Sequence, residues 1–331
     1  MDKTIAAVLV GATTLAGLAQ GCALPQDASK FREPIPQKGD VSLAMPGSQA
    51  SGAAGQSASI RIQGGGTGGG GSTGFSTFYE FTRNISDGVD YGTAVIIGEI
   101  VAITSLPPTT VDDNHAVWGP GSGDALDPVT WKLVVTQVGD REFDYEVDGR
   151  SHLSTSDADW KAIVTGHGYG KSHPSHRSGW FQLDNDVFRS LDPMRGTSTG
   201  KVKVTFDARA YPLTIVADLT TNDGTGAYYD VAVTHEQDGS GVVALTALAD
   251  ISSTKDGVNE NVVENSRWNA TGAGRADVKM SGGDLGATTA LASECWSSAY
   301  TRTYYTDNVN YQPTVGDAST CAFAQAQFAS Q

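Results

Sequence analysis

The chain has 331 residues, a formal net charge of −15 at neutral pH and only three cysteines. That acidity argues against nucleic acid as a partner, because phosphates need Lys and Arg, and against broad contact with anionic lipid head groups. Of forty glycines, eight fall within residues 64–74, which excludes a uniformly packed chain.

In chain order, Ile5 to Ala19 is a short run of apolar and small residues. A bilayer span needs about 20 apolar residues, so this run fits a secretory signal instead. It ends in Leu18-Ala19-Gln20-Gly21-Cys22, which resembles the bacterial lipobox, although Ala19 stands where the commonest form has Leu. The resemblance implies cleavage after residue 21 and lipidation of Cys22, with palmitate-type chains. Ala23 follows in place of the Asp of inner-membrane retention, which implies an outer-membrane anchor facing the periplasm or the surface. Each buried CH₂ is worth about 0.8 kcal/mol, so several acyl chains hold almost permanently.

Residues 22–76 read as a disordered linker. Residues 64–74 are almost all Gly with Thr and Ser, and such a composition cannot offset its ordering entropy. A flexible segment of about 50 residues has an end-to-end distance of roughly 40 Å. Three segments therefore result: a signal over 1–21, a lipidated linker over 22–76 and a folded domain over 77–331.

The folded part opens at Phe75. Ile96, Ile100 and Ile103 recur at helical spacing with Val89 upstream, against a β-branched content that favours a strand. A helix plugging a sheet is expected here, ended by Pro107-Pro108, and Val111 to Pro128 is expected to be a loop. Alternation then sets in. Val129, Trp131, Leu133 and Val135 oppose Thr130, Lys132 and Thr136, and Phe143, Tyr145 and Val147 oppose Asp144, Glu146 and Asp148, the pattern of a half-buried antiparallel hairpin. Residues 160–169 form a third strand and 184–191 a short helix. Similar alternation recurs from Val202 to Tyr305. Roughly ten strands with short connections predict a mainly β (α+β) fold: one antiparallel meander curled into a barrel or half-barrel around the N-terminal helix. Residues 317–328 are expected to form a capping helix.

With Cys22 lipidated, Cys295 and Cys321 form an even pair in an oxidising compartment, and a disulfide between them is predicted. Trp118-Gly119-Pro120, Arg177 to Phe181, Ser266-Arg267-Trp268, Glu294-Cys295-Trp296 and Tyr304 to Asp307 are similar to stretches in secreted lipoproteins of myxobacterial type. The resemblance spans about residues 80–325. It implies a lipoprotein and imports no activity.

Chemical motifs are sparse. The two Gly-x-Ser-x-Gly matches, at 70–74 and 196–200, lack the strand-then-helix order of a nucleophile elbow. The near P-loop at 166–172 is followed by His173-Pro174 instead of a helix start. His167, His173 and His176 lie within ten residues of one another and are the candidate metal ligands, against the default of a solvated loop. Asp112, Asp113 and His115 give a weaker signal of the same kind. The six tryptophans either line a ligand cavity or pack the core. No cofactor is implied, and an enzyme is not favoured. The function expected is a membrane-tethered lipoprotein binding an apolar ligand or a cell-envelope protein. The alternatives are a metal-dependent hydrolase using the 167–176 histidines and a purely structural envelope protein.

Overall fold

The computed structural model describes residues 28–42, 45–47, 75–122, 127–170, 178–194, 198–250 and 257–328. The lipobox with Cys22, the glycine tract, and His173 and His176 lie outside them.

The elements follow the alternation closely. A long helix, α1 (Thr77–Ser105), precedes β1 (Thr110–Val111), β2 (His115–Gly121), β3 (Val129–Gly139), β4 (Glu142–Ser151), β5 (Lys161–Tyr169) and β6 (Ser178–Asp184). After α2 (Asn185–Leu191) come β7 (Lys201–Asp207), β8 (Leu213–Thr220), β9 (Tyr228–His235), β10 (Gly241–Ala249), β11 (Glu260–Trp268), β12 (Gly274–Ser281), β13 (Thr289–Trp296), β14 (Arg302–Asp307) and β15 (Val315–Gly316). Strand order equals chain order in this 15-stranded antiparallel sheet, with β1 first and β15 last. Among the described residues nothing pairs β1 with β15, so the expected barrel closure is not seen. Fifteen strands replace the roughly ten expected, chiefly because β1, β2 and β15 use short or turn-rich sequences and β6 falls in a stretch where no strand is expected. Val111 to Pro128 is therefore not simply a loop: its Trp118 sits buried opposite Leu133.

Contacts divide the chain into two units, one of Met1–Val41 with Gly92–Arg209 and one of Ser42–Tyr91 with Ala210–Gln331. In the first, β3 to β7 put Leu133, Val135, Phe143, Tyr145, Val147, Phe181, Val204 and Phe206 on one buried face. The C-terminal half of α1 belongs here, with Ile97, Ile100 and Thr104 buried. The expected stripe is thus displaced by one residue, from Ile96 to Ile97. Its β-branched content does not prevent a helix, because tertiary burial outweighs propensity.

The linker expectation fails for the described residues 28–42 and 45–47. Phe31, Ile35, Val41 and Met45 are buried. In the first unit, Phe31 meets Phe143 edge-on at 6.1 Å. Arg32 donates from Nε to the Thr104 carbonyl at 2.6 Å and from Nη2 to that of Leu106 at 3.1 Å, so a cation satisfies the carbonyl end of α1. The average composition of 22–76 conceals this short apolar and charged patch. Gly168 tests the docking. A Cβ there would stand 2.4 Å from the Pro34 carbonyl and 3.0 Å from its Cβ. Gly168→Ala is expected to cost about 1–3 kcal/mol by overpacking and to raise hydrogen exchange in residues 28–41, measurable by mass spectrometry. Unchanged protection there would show that the segment does not lie on β5.

In the second unit, β8 to β14 bury alternate residues, among them Val233, Val243, Leu245, Val262, Ala276 and Val278. Trp268 lies over Gly241, and Trp296 lies over Gly274. A Cβ at either glycine would fall within 2.5 Å of the opposing indole, and each indole N–H donates to a loop carbonyl, Gly239 at 3.0 Å and Gly272 at 2.9 Å. Trp118, Trp268 and Trp296 are therefore core residues. Cys295 is bonded to Cys321, with Cα atoms 5.5 Å apart. In the chain-entropy model a loop of this length contributes about 3–4 kcal/mol. The expected helix over 317–328 does not form. Only Ala318–Thr320 turns as a helix, and the rest runs as a bent, irregular strap, fixed by side chains of β11 and β12.

Candidate functional site

Two places gather titratable groups, one in each unit. The first is the outer face of β3 to β7. Antiparallel register sets side chains into rows across the strands. Thr136, Asp144, His167, Trp180 and Thr205 form one row. Val134, Glu146, Thr165, Gln182 and Lys203 form the next, and Lys132 faces Asp148 beyond them. Asp144, Glu146 and Asp148 are alternate residues of β4, so all three carboxylates share this face. They line an open groove of about 460 Å³ together with Lys132, Thr136, Thr165 and Trp180.

Each carboxylate has its own environment. Asp148 is buried and takes the Lys132 ammonium on Oδ2 at 3.1 Å. Lys132 and Arg150 lie over the Trp160 ring, 4.6 and 4.4 Å from its centroid, and close one end of the face. Lys203 stands 5.2 Å over Trp180 on the other side. Asp144 is exposed and meets His167 Nδ1 at 2.7 Å. Glu146 hydrogen-bonds Asp148, and two carboxylates so placed hold one proton between them. That bond, then burial, then the charge of Asp148 push Glu146 up to about 7, against the opposing pull of Lys132. The groove thus carries a proton that is half-occupied near neutrality, and it offers acceptors in excess of donors.

Of the three predicted histidines, His167 is on this face and engaged by Asp144. His173 and His176 lie outside the described residues. Among the described residues no group of His, Cys, Asp and Glu is arranged to hold a metal ion. Asp112 and His115 form a surface turn: Asp112 Oδ1 accepts from the main-chain N–H groups of Asn114 and His115, each at 2.8 Å.

The second place is buried beneath the start of α1. Glu294, fully buried, accepts from the Thr77 N–H at 2.9 Å, the Phe78 N–H at 3.2 Å and Arg302 Nε at 2.9 Å, and from the Ser76 hydroxyl. It supplies from a distant strand the anion that a helix N-terminus favours. Glu264, two strands away, is also fully buried, and burial pushes it up to about 8. The Thr82 hydroxyl has a single hydrogen and three acceptors in reach: the Phe78 carbonyl at 2.7 Å, Glu264 Oε1 at 2.7 Å and the Ser266 hydroxyl at 3.0 Å. Thr82 can donate to Phe78 and accept from the other two only if Glu264 is protonated. This cluster fixes α1 to the sheet and is closed to solvent.

No family model matches the chain. No curated protein and no solved structure is significantly similar to it either. Function therefore rests on the residues themselves. Sequence reasoning passed over Glu146, Asp148, Glu264 and Glu294. Their signal was present as carboxylates in strand phase, those of β4 alternating with apolar residues and Glu264 in phase with buried Val262 and Trp268.

Proposed function

We propose that this protein is a lipid-anchored component of the bacterial outer envelope that binds a ligand rich in amine or hydroxyl donors in the β3–β7 groove. One observation carries the proposal: Asp144, Glu146 and Asp148 line an open groove beside Trp180, with Lys132 as the cation against them. Such a surface has acceptors in excess of donors, and an amino sugar supplies both an ammonium and hydroxyls, with a ring face that suits an indole. The ligand proposed is thus polar, unlike the apolar one that six tryptophans suggest, because three carboxylates and a lysine line this groove. Tethering at Cys22, outer-membrane location and a half-barrel wrap of the strands about α1 belong to the same proposal. The lipobox-like Leu18 to Cys22 and the acidic, disulfide-bearing β domain support them.

Calorimetry with the glucosamine trimer tests the binding. Glu146→Gln is expected to weaken it about tenfold, the worth of one charge-assisted hydrogen bond or roughly 1.4 kcal/mol. Affinity of the native chain for the N-trimethylated trimer, whose charge is permanent, should rise as pH increases through about 7, because the ionised form of Glu146 attracts the cation. An affinity that is flat with pH, or equal for both chains, would contradict a site at Glu146. The hydrolase alternative rests on His167, His173 and His176. A stoichiometric metal in the purified protein, lost on replacing His173 and His176, would favour it. With neither metal nor ligand bound, a purely structural envelope role would stand instead.

A further inference from the structure

The C-terminal tail is held on the second unit much as a bound peptide is held. Arg275, almost fully buried, donates from Nη1 to the carbonyls of Phe323 at 3.2 Å and Ala324 at 3.3 Å. Arg267, its cross-strand neighbour, donates to the carbonyl of Gln325 and lays its guanidinium 5.0 Å over the Phe323 ring. Asp277 accepts from the Gln327 N–H at 3.1 Å. The strip is prebuilt, since Arg275 is fixed by Asp277 at 2.9 Å and by Ser293 at 3.1 Å. The tail contributes main-chain groups, one aromatic ring and Cys321.

We propose that this strip is a peptide-docking surface whose other occupant is the tail of a second copy of this chain, with exchange gated by the Cys295–Cys321 disulfide. The second copy fits by identity, since it carries the same carbonyl, ring and N–H sequence. Residues 318–328, at about 3.3 Å each, reach roughly 35 Å once free. Gly316, at φ +68°, is a ready hinge before them. Opening is chemically direct. Cys295 is buried and Cys321 only half-buried, so the thiolate of a dithiol reductant attacks Cys321 Sγ. Cys295 leaves as a thiolate and takes a proton. The second thiol of the reductant then displaces Cys321, leaving two cysteine thiols and the oxidised reductant. The freed tail competes with others at an effective concentration in the millimolar range, so exchange needs crowded copies.

Full chains, one population labelled with ¹⁵N, are mixed at about 0.5 mM, reduced with a dithiol, reoxidised with a low-molecular-weight disulfide that takes up the two electrons and leaves as two thiols, digested and read by mass spectrometry. Mixed-label peptides joining Cys295 to Cys321 are expected, at least about tenfold more abundant than after the same treatment near 5 µM. Phe323→Ala in both populations should lower the mixed fraction severalfold while leaving the intrachain bond. Same-label linkages alone at high concentration would overturn the proposal. So would a mixed fraction unaffected by Phe323→Ala, because that would arise from random pairing of unfolded chains.

Discussion

Glu264→Gln is expected to make the protein more stable above pH 8 and to flatten a fall in stability that the native chain undergoes between about pH 4.5 and 8. Burial raises the carboxyl from 4.5 to about 8 in the folded chain, and the neighbouring Glu294 charge adds to the rise while the Thr82 hydroxyl opposes it. An acid whose folded value is raised holds its proton more tightly in the native state than in the unfolded one. Its full stabilisation is therefore present below the unfolded value and is lost as pH climbs through the folded one. The slope is about 1.4 kcal/mol per pH unit for one proton, so a few kcal/mol depend on this single group. Glutamine keeps the shape, donates an N–H to Thr82 as the protonated acid does, and never ionises. Urea denaturation at pH 4, 6 and 8.5 measures this. A native chain as steeply pH-dependent as the glutamine variant over that window would mean that Glu264 is ionised or hydrated in the fold.

Removing the carboxylate of Glu294 should cost more. It is the fully buried partner of Arg302 and the acceptor for the first N–H groups of α1. Glu294→Ala leaves a three-quarters-buried guanidinium with only the neutral Gln312 and Thr77 as partners and two main-chain donors without this acceptor. Breaking one side of a buried ion pair costs about 3–5 kcal/mol. Hydrogen exchange should show the loss first at residues 77–80, where the helix begins, and global stability should fall with it. Arg302→Lys keeps a charge near the carboxylate and should lose less than half as much. Equal losses for the two variants would contradict a role for the charge itself and assign the stabilisation to the guanidinium's own hydrogen bonds.

Legibility in the sequence followed the physics of alternation. β3, β4, β8, β9 and β10 announce themselves because one face is dry and the other wet, so every second residue is apolar. Cys295 and Cys321 are legible as a pair because they are the two cysteines left once Cys22 is set aside. β2 was invisible because Trp118-Gly119-Pro120 reads as a turn, and β15 because two residues carry no period. The docking of Phe31 and Arg32 is hidden because the glycine tract at 64–74 dominates the average composition of the segment that contains them. The groove was missed for a different reason. Asp144, Glu146 and Asp148 look like the solvated side of a strand, and only the register that brings His167 and Trp180 beside them, with Lys132 opposite Asp148, makes them a site. Glu264 and Glu294 sit in strand phase with buried neighbours, a clue that alternation offers but that a charged residue usually cancels.

The most direct measurement is the ¹³C shift of the Glu146 carboxyl across pH 5–9, with and without saturating glucosamine trimer. The free protein should titrate near 7, held up by Asp148, and the bound one clearly lower, because an ammonium takes over the role of the shared proton. A midpoint that the sugar leaves in place would contradict a donor-rich ligand at this groove.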